Sequence, residues 1–405
     1  MTQKKRVLLT WELGDNFGHI AKLIKMSPVL RRAGFDVFIA LQNIAGVAPM
    51  LHGLDATILA APYARIKPPS NPTRPVLTYA DDLRPCGYDR PDELAALIRA
   101  WDGMYQLVKP DILIVNSSPT ALLAAIPYDM FKVNIGLGYE VPQVSQPMPA
   151  LRYWENNDKD ALSEHENSVV RIINAALALL GREPISSIKD ILSTDLSLLT
   201  TFSDLDHYPL RENGHYVGPF FIEDAGLDIA WTPRRSKDTK RIFAYLSHGQ
   251  DIEAVIKALH QSPHDVILVA RKLSAQNVKI LSSNPHLRVF TEPVKIGGLV
   301  ADADLCITHG GAGTFVQFLL GGIPQIIFPI HIEQLMAAKR VEQIGVGVIG
   351  QSHGDARKVT DLIEAVLSNK DYKKQADIWA KIHAGYSVNR QAEEIVNCIL
   401  SKMAH

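Results

Sequence analysis

The stretch Asp304-Leu-Cys-Ile-Thr-His-Gly-Gly-Ala-Gly-Thr314 gathers residue types suited to holding an anion. An apolar strand, Leu305 to Thr308, runs into His309 and three glycines, Gly310, Gly311 and Gly313, and a helix opens near Ala312. The first N–H groups of a helix have no intrahelical acceptor, and glycines leave them uncovered by side chains. Such a turn can receive a phosphate or pyrophosphate. The imidazole of His309 at the loop entry and the hydroxyl of Thr314 on the first turn add polar groups to that turn. A tight strand-to-helix turn alone would account for the glycines. The histidine, the hydroxyl and the polar pair Glu333-Gln334 after the next strand make the pattern more specific.

His19 is the second residue placed for chemistry. It follows the apolar run Val7-Leu-Leu-Thr-Trp11 and the loop from Gly14 to Gly18. A neutral imidazole there can take the proton of a hydroxyl as that oxygen attacks a carbon. A histidine at a helix start can equally serve as a local hydrogen-bonding residue. Ser247, His248 and Gly249 end a later strand and stand where a βα turn meets a ligand. Asp204-Leu-Asp-His-Tyr208 lacks metal spacing and reads as a structured turn. Tyr153, Trp154 and the region of Tyr79 either line an apolar pocket or pack in a core. The three cysteines, Cys86, Cys306 and Cys398, are far apart and form no C-x-x-C. Neither a disulfide framework nor a zinc pattern is present, and no paired carboxylates stand ready for a metal. Cys306, inside an apolar strand, reads as a small buried hydrophobe.

Strands alternating with helices must position these residues. In the first half the strands are Val7–Trp11, Asp36–Leu41, Pro110–Val115, Lys132–Ile135 and Leu196–Thr200, with helices after His19, at Pro91–Val108, Thr120–Ile126 and Asp158–Leu180. A proline-rich segment, Ala60 to Arg90, is expected as a long surface loop. In the second half the expected strands are 241–246, 265–269, 287–290, 305–308, 325–328 and 346–349, with helices between them. This alternation predicts an α/β fold of two Rossmann-like, doubly wound parallel sheets. At 405 residues two domains are natural. They are expected at 1–222 and 241–380, joined by a polar linker at 223–240, with a terminal helix at 381–405 that covers the second domain or reaches back to the first. A net charge of −1 argues against nucleic acid as a partner. No apolar run approaches a membrane span, and the N-terminus has too short an apolar stretch for a signal peptide, so a cytoplasmic protein is expected.

His309-Gly-Gly-Ala-Gly-Thr314, then Gly322-Ile-Pro-Gln and Pro329 ahead of Glu333-Gln334, resembles the donor-binding signature of the UDP-glycosyltransferase superfamily, and its bacterial members more than its plant ones. Gly18-His-Ile20 resembles the position of that family's catalytic histidine, and Val217-Gly-Pro219 the passage into its linker. The resemblance implies the GT-B fold, two Rossmann-like domains facing across a cleft. It implies an inverting, metal-independent transfer of a hexose from a UDP- or dTDP-sugar, with no further cofactor, to a hydroxyl of a small, partly apolar or lipid-like acceptor. It puts His309 and the amides of Gly311, Ala312, Gly313 and Thr314 at the phosphates, Ser247 near the phosphates or base, Gln317 at the ribose, and Glu333-Gln334 at the sugar. Where an aspartate usually orients the catalytic histidine this chain has Asn116. An amide oxygen fixes the tautomer without balancing an imidazolium charge, so either Asp15 or Glu12 supplies a carboxylate locally, or the acceptor is acidic enough not to need one, or the enzyme is slow. A sugar-nucleotide epimerase or hydrolase, or a binding protein without turnover, are the alternatives on the same fold.

Overall fold

The computed structural model describes residues 4–14, 17–65, 74–221, 226–247, 249, 251–271 and 273–403. The chain divides into two compact units: Met1–Phe220 together with Val388–His405, and Phe221–Ser387.

In the first unit six parallel strands, β1 (Arg6–Trp11), β2 (Asp36–Leu41), β3 (Thr57–Ala60), β4 (Ile112–Asn116), β5 (Phe131–Gly136) and β6 (Leu196–Leu199), run in the order β3-β2-β1-β4-β5-β6. The helices are α1 (Phe17–Arg32), α2 (Tyr79–Leu83), α3 (Pro91–Val108), α4 (Pro119–Ala125), α5 (Lys159–Leu179) and α6 (Lys189–Leu192). Alternate strand residues bury on opposite faces, as the period of two requires. Leu8, Leu113 and Val115 join Ile98, Trp101 and Val169 on one side. Val7, Leu9, Ile112 and Ile114 join Ile20, Leu23 and Leu30 on the other. Pairing sets Trp11 opposite Leu41 on one flank and Asn116 on the other, so the ends of β1 and β4 lie level where the strand order reverses.

The second unit repeats the plan. Strands β7 (Arg241–Leu246), β8 (Asp265–Ala270), β9 (Leu287–Phe290), β10 (Leu305–Thr308), β11 (Gln325–Ile327) and β12 (Gly347–Ile349) run in the order β12-β11-β10-β7-β8-β9. Helices α7 (Ile252–His260), α8 (Ala275–Leu281), α9 (Gly297–Val300), α10 (Ala312–Leu320), α11 (Ile332–Gln343), α12 (Ala356–Ser368) and α13 (Lys370–Ile382) cover it. Cys306 is fully buried in β10. The last helix, α14 (Val388–Met403), belongs to the first unit. Its Ile395, Val396 and Ile399 pack with the apolar face of α1, and the buried Gln391 donates from Nε2 to the carbonyls of Val217 (2.9 Å) and Gly218.

Three details differ from the sequence expectation. The units part after Phe220 and Ser387 rather than near 222, 240 and 380. Within the expected linker, Leu227 forms a backbone bridge with Val294, Trp231 Nε1 donates to Leu299 O at 2.9 Å, and the Ile229 and Trp231 side chains pack on the second unit's core. The proline-rich segment is not a surface loop throughout. A capping box at Thr78 and Asp81 starts α2, and Tyr79, Ala80, Leu83 and Tyr88 are buried in the first unit's core. Residues 66–73 of that segment lie outside the described residues.

Glu12, one residue past β1, is buried, and its Oε2 accepts the amides of Thr120 (3.0 Å) and Ala121 (3.4 Å) at the start of α4. Its Oε1 has no hydrogen-bond partner among the described residues. Burial pushes its pKa up to about 8, against the downward pull of the Thr120 hydroxyl and the two amides. A carboxyl whose folded pKa lies above its unfolded value contributes stability that is complete below the unfolded pKa and is lost as pH rises through the folded one. Thermal unfolding followed from pH 6 to pH 9 should show the first unit losing on the order of 2 kcal/mol, a fall of a few degrees in Tm. Glu12→Gln keeps the acceptor and should flatten that dependence.

Candidate functional site

His19 lies in the first turn of α1, with its ring stacked on Trp11 at 5.7 Å between centroids and 14° between planes. Its Nδ1 is 2.9 Å from Asn116 Oδ1 and 3.0 Å from Glu140 Oε1. The Asn116 amide is held the right way round because its Nδ2 donates to Ile135 O (2.6 Å) and to Glu140 Oε2 (2.9 Å). Two acceptors at Nδ1 require the proton there, which leaves the lone pair on Nε2. Gly14, at φ +89°, passes beside that nitrogen so closely that a Cβ would stand 2.4 Å from Nε2. Any side chain at that position would collide with the nitrogen.

Glu140 is the centre of the cluster. Besides His19 and Asn116 it accepts from Leu137 N (2.8 Å) and from Lys22 Nζ (2.9 Å). Gly136 makes room for it, since a Cβ there would come within 2.2 Å of Oε2. Burial pushes the Glu140 pKa up, but the Lys22 ammonium and then His19 outweigh it and hold the carboxyl below the usual range. The carboxylate that the described residues place beside His19 is Glu140. Glu12 turns to α4 instead, drawn by the unpaired amides of that helix, and Asp15 lies outside the described residues. Glu140 was missed because it comes from an irregular segment four residues past β5. The available signal was its place beyond the C-terminal end of a parallel strand, where ligands bind in such sheets.

In the second unit His309, Gly310 and Gly311 join β10 to α10, whose first turn carries Ala312, Gly313 and Thr314. Gly310 adopts φ +99°, a Cβ there would meet Gln334 Cβ and Ile327 Cγ2 at 3.2 Å, and Thr308 Oγ1 accepts its amide at 3.1 Å. The first backbone bonds of the turn run from Thr314 N (3.0 Å) and Phe315 N (3.3 Å) to Gly311 O. Ala312 and Gly313 thus supply donors from the helix start, and Gly311 caps without a side chain. His309 and Ser247, from the ends of β10 and β7, line a cavity of about 360 Å³ with Gly249, Asp251, Phe328 and Ile330. This cavity sits where the strand order of the second sheet reverses. Asp251, not singled out from the sequence, accepts Ser352 N at 2.8 Å and also the Ser352 hydroxyl.

The remaining sequence candidates spread out. Gln317 is half-buried and donates to Gly313 O of its own helix. Gln334 is buried, and its Oε1 accepts Ile330 N at 2.9 Å, which shapes the turn before α11. Glu333 is half-buried, with Oε2 3.6 Å from His331 Nδ1. Tyr79 is buried in the core, while Tyr153 and Trp154 meet edge to face at 5.0 Å on a half-buried turn. Asp206 in the Asp204–Tyr208 turn is buried and pairs with Arg211 at 2.6 Å. Among the described residues no group of three or more His, Cys, Asp or Glu is placed to hold a metal ion, and no helix is long and apolar enough to cross a membrane.

Comparison with known proteins agrees with this plan. Residues 253–399 match the family of the erythromycin biosynthesis protein CIII-like C-terminal domain. The PGL/p-HBAD biosynthesis rhamnosyltransferase of Mycobacterium bovis (strain BCG / Pasteur 1173P2) is 23% identical over 291 residues, 66% of this chain and 63% of that protein. The NDP-glycosyltransferase YjiC of Bacillus subtilis (strain 168) is 25% identical over 118 residues, 29% of each chain. The aligned part thus spans less than two thirds of these relatives. Among solved structures, the calicheamicin glycosyltransferase CalG4 superposes with a TM-score of 0.68 at 17% identity, covering both chains fully. The spinosyn rhamnosyltransferase SpnG complexed with thymidine diphosphate gives 0.67 at 15%, covering 97% of this chain and 100% of that one. The chain is a GT-B protein, and it resembles the antibiotic and macrolide type of the UDP-glycosyltransferase superfamily.

Proposed function

We propose that the protein is an inverting glycosyltransferase that moves a hexose from a nucleoside diphosphate sugar to a hydroxyl of a small, partly apolar natural-product or lipid-like acceptor. The observation that carries this reading is His19, fixed as the Nδ1–H tautomer by Asn116 and Glu140 with Nε2 beside a glycine. Nε2 takes the acceptor's hydroxyl proton while the acceptor oxygen bonds to the anomeric carbon. The bond from that carbon to the diphosphate oxygen breaks, and its electron pair leaves with the diphosphate. The α10 amides, His309 and Thr314 offset the charge that accumulates there, so the reaction is proposed to need no metal. Glu140 stabilises the imidazolium formed in the step, the part that the Asn116 amide cannot play. The names of the relatives point the same way: rhamnosyltransferases, and an NDP-glycosyltransferase.

Incubation with UDP- and dTDP-sugars and a panel of phenolic and alcoholic acceptors, with products read by mass spectrometry and the anomeric configuration by NMR, tests this. Transfer with inversion is expected. Donor consumed without an acceptor would mark a hydrolase or epimerase, and nucleotide binding with no turnover a binding protein. His19→Ala should lower kcat by roughly 10²- to 10⁴-fold with nucleotide affinity retained, and Glu140→Gln should lower it less. Gly310→Ala forces a Cβ into a left-handed conformation at about 1–2 kcal/mol. Calorimetry should then show nucleoside diphosphate affinity falling about tenfold.

A further inference from the structure

Lys22 takes no part in the proton transfer, yet it is only 4% exposed, one helical turn beyond His19. Its Nζ lies 2.9 Å from Glu140 Oε2, while the other carboxylate oxygen faces His19 Nδ1 at 3.0 Å. A buried ammonium is unfavourable unless paired, and a buried carboxylate likewise. Each therefore needs the other, and with His19 and Asn116 uncharged the four side chains sum to zero. Without the ammonium, Glu140 would remain buried with the imidazole as the nearest group able to balance it. His19 would then take up a proton, and Nε2 would no longer be a base.

The geometry points to Lys22 as a positioning residue for the proposed reaction: it is the standing counter-ion of Glu140, and by filling that place it leaves His19 uncharged and able to accept a proton. The inference rests on the reading of His19 as the base. The other groups around the cluster do not compete for the role. Trp11 of β1 and Asn116 of β4 carry no charge, and Glu12 is turned to the amides of α4. Asp206, behind Gly138, is already paired with Arg211.

The test reads the charge of His19 directly. Side-chain 15N NMR of the full chain at near-neutral pH should show a neutral Nδ1–H ring in the unsubstituted protein and an imidazolium in Lys22→Met. The acid limb of kcat/KM should move up by about one pH unit in Lys22→Met, and Lys22→Arg should restore it. Lys22→Met combined with Glu140→Gln removes both charges and should return the ring to neutral. Should Lys22→Met fail to fold, Glu140→Gln alone leaves the ammonium unbalanced beside the ring and should move the acid limb down. A neutral ring and an unmoved limb in Lys22→Met, or no downward movement in Glu140→Gln, would overturn the role given to Lys22. The NMR arm needs no turnover, so absence of transfer to any acceptor would sink the proposed reaction and leave this result readable.

Discussion

A parallel sheet points every strand end the same way, and both candidate sites depend on that constraint. In each unit the chain starts at the middle of the sheet, winds outward on one side, then returns to wind outward on the other. The connecting helices leave to opposite faces only where the winding reverses, between β1 and β4 and between β10 and β7. There the strand ends are not roofed by a crossover. The residues that occupy those ends are Trp11 and Asn116 in one unit, and Ser247 and His309 in the other. Neither set needs a special backbone to reach its place, because register alone brings it there. What the sequence adds is chemistry at positions the topology has already opened.

In the first unit that chemistry is an exercise in balancing buried charge. A lone carboxylate against an imidazole would be a strong orienting partner and also an invitation to proton uptake. Glu140 accepts from a backbone amide, a carboxamide, an ammonium and the imidazole at once. Each donor takes a share of the carboxylate, so His19 is oriented firmly while the charge is not left for it alone. Asn116 then has a definite task despite carrying no charge: its Nδ2 is committed to Ile135 O and Glu140, which aims its oxygen at Nδ1.

The phosphate-type loop and the alternation of strands and helices were legible because both are local. His309 to Thr314 is one contiguous run, and helix Pro91–Val108 announces itself by its proline and its apolar spacing. Glu140 was not legible, because it meets His19 across 121 positions of chain through tertiary packing, and nothing within its own segment marks it. The buried α2 was hidden for a different reason. Prolines dominate the composition of Ala60–Arg90, whereas its burial is decided by a few aromatic anchors, Tyr79 and Tyr88. The place where the chain returns to the first unit was blurred as well. The apolar stripe of α14 says only that one face is covered, and Gln391 on Val217 and Gly218 shows what covers it.

The two units share one topology, which makes their difference informative. α4 follows the strand across the first reversal and α10 the strand across the second, so they are topological counterparts. Both begin with backbone amides that need acceptors. At α4 the need is met from inside by Glu12, a carboxyl brought up by β1 and buried against Thr120 and Ala121. At α10 the corresponding strand end, after β7, carries Ser247, and the loop before the helix is His309, Gly310 and Gly311. A carboxylate at that point would compete with any incoming anion for the same amides, and a hydroxyl does not. The first unit thus fills from within the anion site inherent in its fold, whereas the second leaves the start of α10 to its backbone amides.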